Sequence, residues 1–300
     1  MTDAAGPNLV RTRSEHVCFD GTQGFYEHDS EACAGPMRFS VYLPPAAKHH
    51  KVPAVYYLAG LTCTEETFPI KAGAQRLASE LGLALIAPDT SPRQSRFPGD
   101  DADWDFGLGA GFYLDATVAP WSSAYRTETW ITDELPALVE ANFPIDPSRR
   151  SIMGHSMGGH GALTLALRHP ERYAYVSALA PICAPSQVPW GIKAFENYLG
   201  DDHESWLAHD ATALVMAGHR FPGSTSDDPD QPVLPVLIDQ GEGDKFLAGQ
   251  LRPDLLVAAC NESKQPLQLR MHAGYDHGYY FIQSFIDDHL RHHATALRST

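Results

Sequence analysis

In this 300-residue chain, the stretch best suited to chemistry is Gly154-His155-Ser156-Met157-Gly158. It fits G-x-S-x-G, a serine on a tight strand-to-helix turn flanked by small residues that let neighbouring backbone approach closely. Such a turn lifts the hydroxyl into a crevice at the carboxyl end of a sheet. The helix that follows turns its free N–H groups and positive dipole end toward a developing oxyanion. The pattern also occurs by chance, so its context matters. Ser151-Ile152-Met153 reads as a strand before it, and residues 157–168 read as an amphipathic helix after it, closed by Pro170.

A serine hydroxyl needs a base, and the base needs an orienting acid. In chains built on this elbow the order is Ser, then Asp or Glu, then His. His277 lies in Tyr275-Asp276-His277-Gly278, between a strand over 267–272 and the final helix. His272 falls at the end of that strand. His289, His292 and His293 fall on the final helix and read as solvated surface. His289 and His293 have the i, i+4 spacing of a chelating pair, but no acidic ligand matches them, so no metal site is expected. The acid should follow the preceding strand, 235–239, which leads into Gln240-Gly241-Glu242-Gly243-Asp244. Asp239 is still in the strand; Glu242 and Asp244 both remain open on the residues alone. For the oxyanion, one donor is the N–H of Met157. The other is assigned to Leu61, in the loop Ala59-Gly60-Leu61-Thr62-Cys63 after an early strand, although that loop could equally be an ordinary turn.

These groups need a scaffold. Residues 16–19 and 38–43 look like short strands that pair antiparallel at one edge of a sheet. Val55–Leu58 and Leu83–Ala87 are continuous apolar runs, as in parallel strands buried on both faces, with a helix over 71–81 between them. Ile131, Leu135, Val139 and Phe143 mark one face of a helix over 127–143, which Pro136 should kink unless it lies in the first turn. Residues 175–180, 235–239 and 267–272 are further strands, and the last helix spans 279–296. The expected fold is α/β, one domain over 1–300: a mostly parallel sheet with an antiparallel edge and helices on both faces. Residues 219–232 read as a solvated loop. Gly107-Leu108-Gly109-Ala110-Gly111 follows no strand and lacks the full dinucleotide-binding spacing.

Composition narrows the class. The net charge of −15, with no Lys/Arg-rich run, disfavours nucleic acid and anionic lipid as partners. The first seven residues lack the cationic start and apolar core of a secretory signal, and no run is long enough to span a bilayer. Cys18, Cys33, Cys63, Cys183 and Cys260 are odd in number and widely spaced, without C-x-x-C. That argues against structural zinc or a disulfide framework and points to a reducing cytoplasm.

Over nearly its whole length the chain resembles the S-formylglutathione hydrolase (esterase D) family. The resemblance is carried by Leu58-Ala59-Gly60-Leu61-Thr62-Cys63-Thr64-Glu65, Asp89-Thr90-Ser91-Pro92-Arg93, Trp104-Asp105-Phe106-Gly107 and Gly109-Ala110-Gly111-Phe112-Tyr113. It continues through Gly154–Ala162, Pro189-Trp190-Gly191, Lys193-Ala194-Phe195, Asp239-Gln240-Gly241 with Asp244, and Gly274–Ile282. It implies an α/β-hydrolase fold, hydrolysis of S-formylglutathione to glutathione and formate in formaldehyde removal, no cofactor, and a homodimer. It also implies Ser156, Asp244 and His277 as the triad, with Leu61 and Met157 as oxyanion donors. Ala59, Gln94 and Gly278 depart from the family pattern, which has Ser, Gly and Ser there. Cys63, beside the oxyanion loop, is either a thiol-reagent-sensitive group or a small buried side chain. Trp104 and Trp190 are either walls of an acyl pocket or packing. The substrate is anionic, as is the chain, so Lys193 or Arg93 is expected to offset the repulsion.

Overall fold

A computed structural model describes residues 9–224 and 233–298. The start of the chain, residues 225–232 of the expected surface loop, and Ser299 and Thr300 lie outside the described residues. Nine strands form one sheet: β1 Arg11–Cys18, β2 Gly21–Ser30, β3 Gly35–Leu43, β4 Val52–Leu58, β5 Ala84–Pro88, β6 Ile145–His155, β7 Val176–Leu179, β8 Val236–Gly241 and β9 Leu267–His272. Their spatial order is β1-β2-β3-β5-β4-β6-β7-β8-β9. The pairs β1/β2, β2/β3 and β3/β5 are antiparallel, and every pair from β5/β4 to β8/β9 is parallel. β5, β7 and β8 are buried along their whole lengths, as unbroken apolar runs covered on both faces require. This is the α/β-hydrolase fold.

The edge differs from expectation in one respect. The strands around 16–19 and 38–43 do not pair with each other, because β2 lies between them. β2 reads Gly-Thr-Gln-Gly-Phe-Tyr-Glu-His-Asp-Ser, too polar and glycine-bearing to announce itself, yet it sits between two partners and much of it is buried. The expected helix 71–81 is two helices, Thr67–Lys71 and Gln75–Leu81, divided at Gly73, whose φ is +70°. Across 127–142 the chain stays helical, but a π-turn over Trp130–Glu134 precedes Pro136, which takes an N-terminal position of the helix Leu135–Asn142. A proline there has no N–H to leave unbonded.

The winding of the sheet locates the site. From β4 the chain crosses to β5 on one side, then returns to β6 on the other side and continues to β9. The carboxyl ends of β4 and β6 therefore flank the point where the strand order reverses, where α/β sheets leave a crevice. Leu61 follows β4 and Ser156 follows β6. Helix Met157–Arg168 packs on β4, β6 and β7, and helix Tyr279–Ala296 packs on β7 and β8 and on helix Gln75–Leu81.

Candidate active site

Ser156 caps helix Met157–Arg168 at φ 58° and ψ −120°, a conformation costly for a residue with a Cβ. Its surroundings over-determine it. Its N–H donates to the Leu179 carbonyl (3.0 Å), and its carbonyl accepts from the N–H groups of His160 (3.0 Å) and Ile182 (3.2 Å). The turn also needs its glycines. A Cβ on Gly158 would lie 2.0 Å from the Leu58 carbonyl oxygen, and one on Gly154 would lie 2.1 Å from the Gly158 carbonyl oxygen.

His277 arrives on the loop between β9 and the final helix. Its Nε2 is 2.9 Å from Ser156 Oγ and its Nδ1 is 2.6 Å from Asp244 Oδ2. The other carboxylate oxygen of Asp244 accepts the N–H of Phe246 at 2.8 Å, and Gln240 Nε2 donates to Oδ2 at 3.3 Å. Burial alone would raise the Asp244 carboxyl. The hydrogen bond and charge of His277, with the Phe246 N–H and Gln240, outweigh burial and hold it below its ordinary value. The acid and base loops are joined: Glu242 N–H donates to the His272 carbonyl (2.9 Å) and Gly243 N–H to the Tyr275 carbonyl (2.9 Å). Glu242 itself is exposed.

A cavity of about 150 Å³ opens over this group, lined by Gly60, Leu61, Cys63, Trp104, His155, Ser156, Trp190, Phe246 and His277. Its aromatic wall runs from Trp104 (56% exposed) edge-on to Trp190, from Trp190 to Phe246, and from Phe246 edge-on to His277. The ring centroids along it are 5.5, 4.6 and 5.2 Å apart. Phe246 and His155 were not singled out from the sequence. His155 carried a signal, its place inside the G-x-S-x-G motif; Phe246 carried only its nearness to Asp244. The His155 ring sits 4.5 Å from that of His277, with both nitrogens buried, and burial keeps it neutral by pushing its basicity well below the ordinary value. Leu61 borders the cavity, and Met157 is the first residue of the helix, where an N–H has no intrahelical acceptor. Burial raises the Cys63 thiol, with Thr67 and Tyr279 offsetting part of the effect, so it is not poised as a thiolate.

The chain is 54% identical to the S-formylglutathione hydrolase of Mus musculus over 287 residues, which cover 95% of this chain and 98% of that protein. It belongs to the S-formylglutathione hydrolase family. Residues 30–292 also match the broader Esterase family. The S-formylglutathione hydrolase structure from Agrobacterium tumefaciens is similar with a TM-score of 0.90 at 48% identity, covering 96% of this chain and 99% of that one. A ferulic acid esterase matches with a TM-score of 0.69 at 18% identity, a likeness of fold alone.

In this member of the S-formylglutathione hydrolase family, the expected cations are already engaged. Lys193 Nζ lies 2.8 Å from Asp103 and 2.6 Å from Asp105. Arg93 is held by Asp89, with Nε 2.9 and 3.1 Å from its two oxygens and Nη2 2.6 Å from Oδ1. Neither offers a free charge to a thioester substrate. His289 and His293 also differ from expectation, since both are buried rather than solvated, while His292 is half-buried. His289 bridges Asp239 Oδ2 (3.0 Å) and Ser177 Oγ (2.7 Å), and His293 Nε2 meets the same Ser177 hydroxyl at 2.8 Å. Asp239 is also claimed by Arg270 and by His272 (2.9 Å). This separates His272 and Asp239 from the group around Ser156. Among the described residues no cluster of three or more His, Cys, Asp or Glu could hold a metal ion, and no helix is long and apolar enough to cross a membrane.

Proposed function

We propose that the protein hydrolyses S-formylglutathione to glutathione and formate through a formyl-enzyme on Ser156. The observation that carries this reading is the unbroken hydrogen-bond chain from Ser156 Oγ through His277 to Asp244, opening into a cavity small enough for a short acyl group. His277 Nε2 takes the hydroxyl proton as Oγ attacks the formyl carbonyl carbon. Asp244 fixes the Nδ1–H tautomer and stabilises the imidazolium. The negative charge gathers on the carbonyl oxygen, where the N–H groups of Leu61 and Met157 receive it, at about 3 kcal/mol per donor. The C–S bond then breaks and His277 gives its proton to the departing glutathione sulfur. In the second half, His277 removes a proton from water as the water oxygen attacks the formyl ester. The tetrahedral adduct collapses, Ser156 Oγ recovers the proton, and formate leaves.

Cys63, Trp104 and Trp190 line the cavity and are the acyl- and thioester-facing walls in this reading. The chain acts as one domain built on one sheet. The family resemblance supports a homodimer serving formaldehyde removal, and the five free cysteines suit a reducing cytoplasm. Sedimentation of the purified protein tests the dimer.

The deciding experiment compares kcat/KM for S-formylglutathione with that for a short-chain aryl acetate on one preparation. A strong preference for the thioester is expected. Equal values, or a preference for the acetate, would keep Ser156, Asp244 and His277 but make the protein a general short-chain esterase.

A further inference from the structure

Thr62, directly after the oxyanion donor Leu61, has φ +68°. A β-branched residue in the left-handed region is a backbone outlier that persists only where neighbours enforce it. Here the enforcement comes from three loops. The Thr62 N–H donates to the Gly109 carbonyl at 2.9 Å, and the Cys63 N–H turns back to the Gly60 carbonyl at 3.2 Å. The Cys63 carbonyl is held twice, by Thr90 Oγ1 at 2.7 Å and by Arg93 Nη2. Arg93 is in turn fixed on Asp89, which is only 2% exposed, stands just past β5, and also accepts the Thr90 N–H at 2.7 Å. The third loop closes on the same point. Gly109 N–H donates to Ser91 Oγ at 2.6 Å, and a Cβ on Gly109 would come within 3.1 Å of both Arg93 Nη1 and Thr62 Cα.

We propose that Arg93 is a positioning residue for the oxyanion site: anchored on Asp89, its guanidinium grips the Cys63 carbonyl, holds Thr62 left-handed and keeps the Leu61 N–H aimed at the developing oxyanion. The proposal rests on the reading of Leu61 as an oxyanion donor. A guanidinium suits the task because its planar fork holds the Asp89 carboxylate through two nitrogens while reaching the Cys63 carbonyl in a fixed geometry, whereas an ammonium is a point charge on a flexible stem. The assignment also accounts for a cation beside the cavity that is spent on backbone rather than left free for substrate.

The test is Arg93→Lys, assayed with S-formylglutathione and with neutral 4-nitrophenyl acetate, with rates expressed per site titrated by a fluorophosphonate. Loss of a whole oxyanion donor lowers kcat by about 10²–10³-fold, so misaiming one should lower it by about 10–100-fold. The expected result is that drop in kcat on both substrates, with KM changed less than about threefold. Unchanged kcat per titrated site with a lowered melting temperature would overturn the proposal in favour of mere structural support. A rise in KM confined to the anionic thioester would overturn it in favour of substrate docking. Thr90→Val, which removes the other donor to the Cys63 carbonyl, is the second variant should Arg93→Lys fail to fold. It is expected to lower kcat about 3–10-fold on both substrates, and an unchanged kcat would count against the proposal. Because the acetate assay needs no glutathione group, the positioning role is decided even if the wild-type protein ignores S-formylglutathione.

Discussion

His277 Nδ1 lies 2.6 Å from Asp244 Oδ2, although the two residues are 33 positions apart in the chain. This contact fixes which ring nitrogen carries the proton and leaves Nε2 facing Ser156. Asp244→Asn keeps the shape but offers the wrong partner to the ring. In triads of this kind such a change lowers kcat by about 10⁴-fold. We expect that loss in steady-state assays with unchanged far-ultraviolet circular dichroism. A kcat within tenfold of wild type would remove Asp244 from the triad and reopen the case for another acid.

The elbow is limited by backbone contact rather than by chemistry. An alanine at 158 would drive its Cβ to 2.0 Å from the Leu58 carbonyl oxygen, which lies on a central strand and cannot yield. Gly158→Ala should lower stability by about 3 kcal/mol or more, in the range of overpacked cores. The readout is the urea midpoint. A midpoint equal to wild type would show that strand and helix separate freely.

Arg270 bonds the fully buried Asp239, which also faces His272 and His289. Burial would raise the Asp239 carboxyl, but Arg270 and then His289 hold it far below its ordinary value. Arg270→Leu leaves that charge short of its main partner and is expected to cost about 3–5 kcal/mol. Chemical denaturation measures it. A variant as stable as wild type would mean that His272 and His289 compensate Asp239 without the arginine.

Stability should rise with pH between about 4 and 6.5 and level off above about pH 7.5. Burial pushes His28, His160 and His209 down to about 4 and lowers His155, His289 and His293 as well, so over that window the unfolded chain binds protons that the folded one refuses. Stability therefore falls as pH drops through that window. Glu65 acts oppositely. Burial first, and then Asp89, push its carboxyl up to about 7, so the folded state keeps a proton that the unfolded state releases near 4.5. Its effect is a loss of stability as pH rises from about 4.5 to 7, outweighed by the histidines. Glu65→Gln removes that opposing loss and should steepen the rise between about pH 5 and 7. Melting temperatures across pH 4.5–8.5 test this, and an identical rise in both proteins would rule out Glu65 as a contributor.

Much of this protein was readable from its residues because the features are local. Gly154–Gly158 specifies a turn within five residues, and the strand and helix beside it follow from continuous apolar runs. The bounds of β9 and of the final helix agree with the reading from sequence because turn residues frame them. Other features were not legible, for stated reasons. β2 is polar and glycine-bearing, and its place comes from partners on both sides rather than from its own pattern. His289 and His293 look like surface histidines on a helix; that they face Ser177 and Asp239 depends on how that helix lies across β7 and β8.

The sequence by itself singled out Ser156, the late histidine His277 and the alternating α/β plan, since each is encoded in short stretches or in their succession. Only the tertiary structure brought Asp244 into contact with His277, placed Phe246 and His155 beside that ring, and bound Arg93 to Asp89 and the Cys63 carbonyl rather than leaving it free for substrate. Those outcomes depend on distances between segments far apart in the chain, such as Ser156 and His277, 121 positions apart. Residue type says what a group can bond, but only the packing of strands and helices sets which bond is within reach.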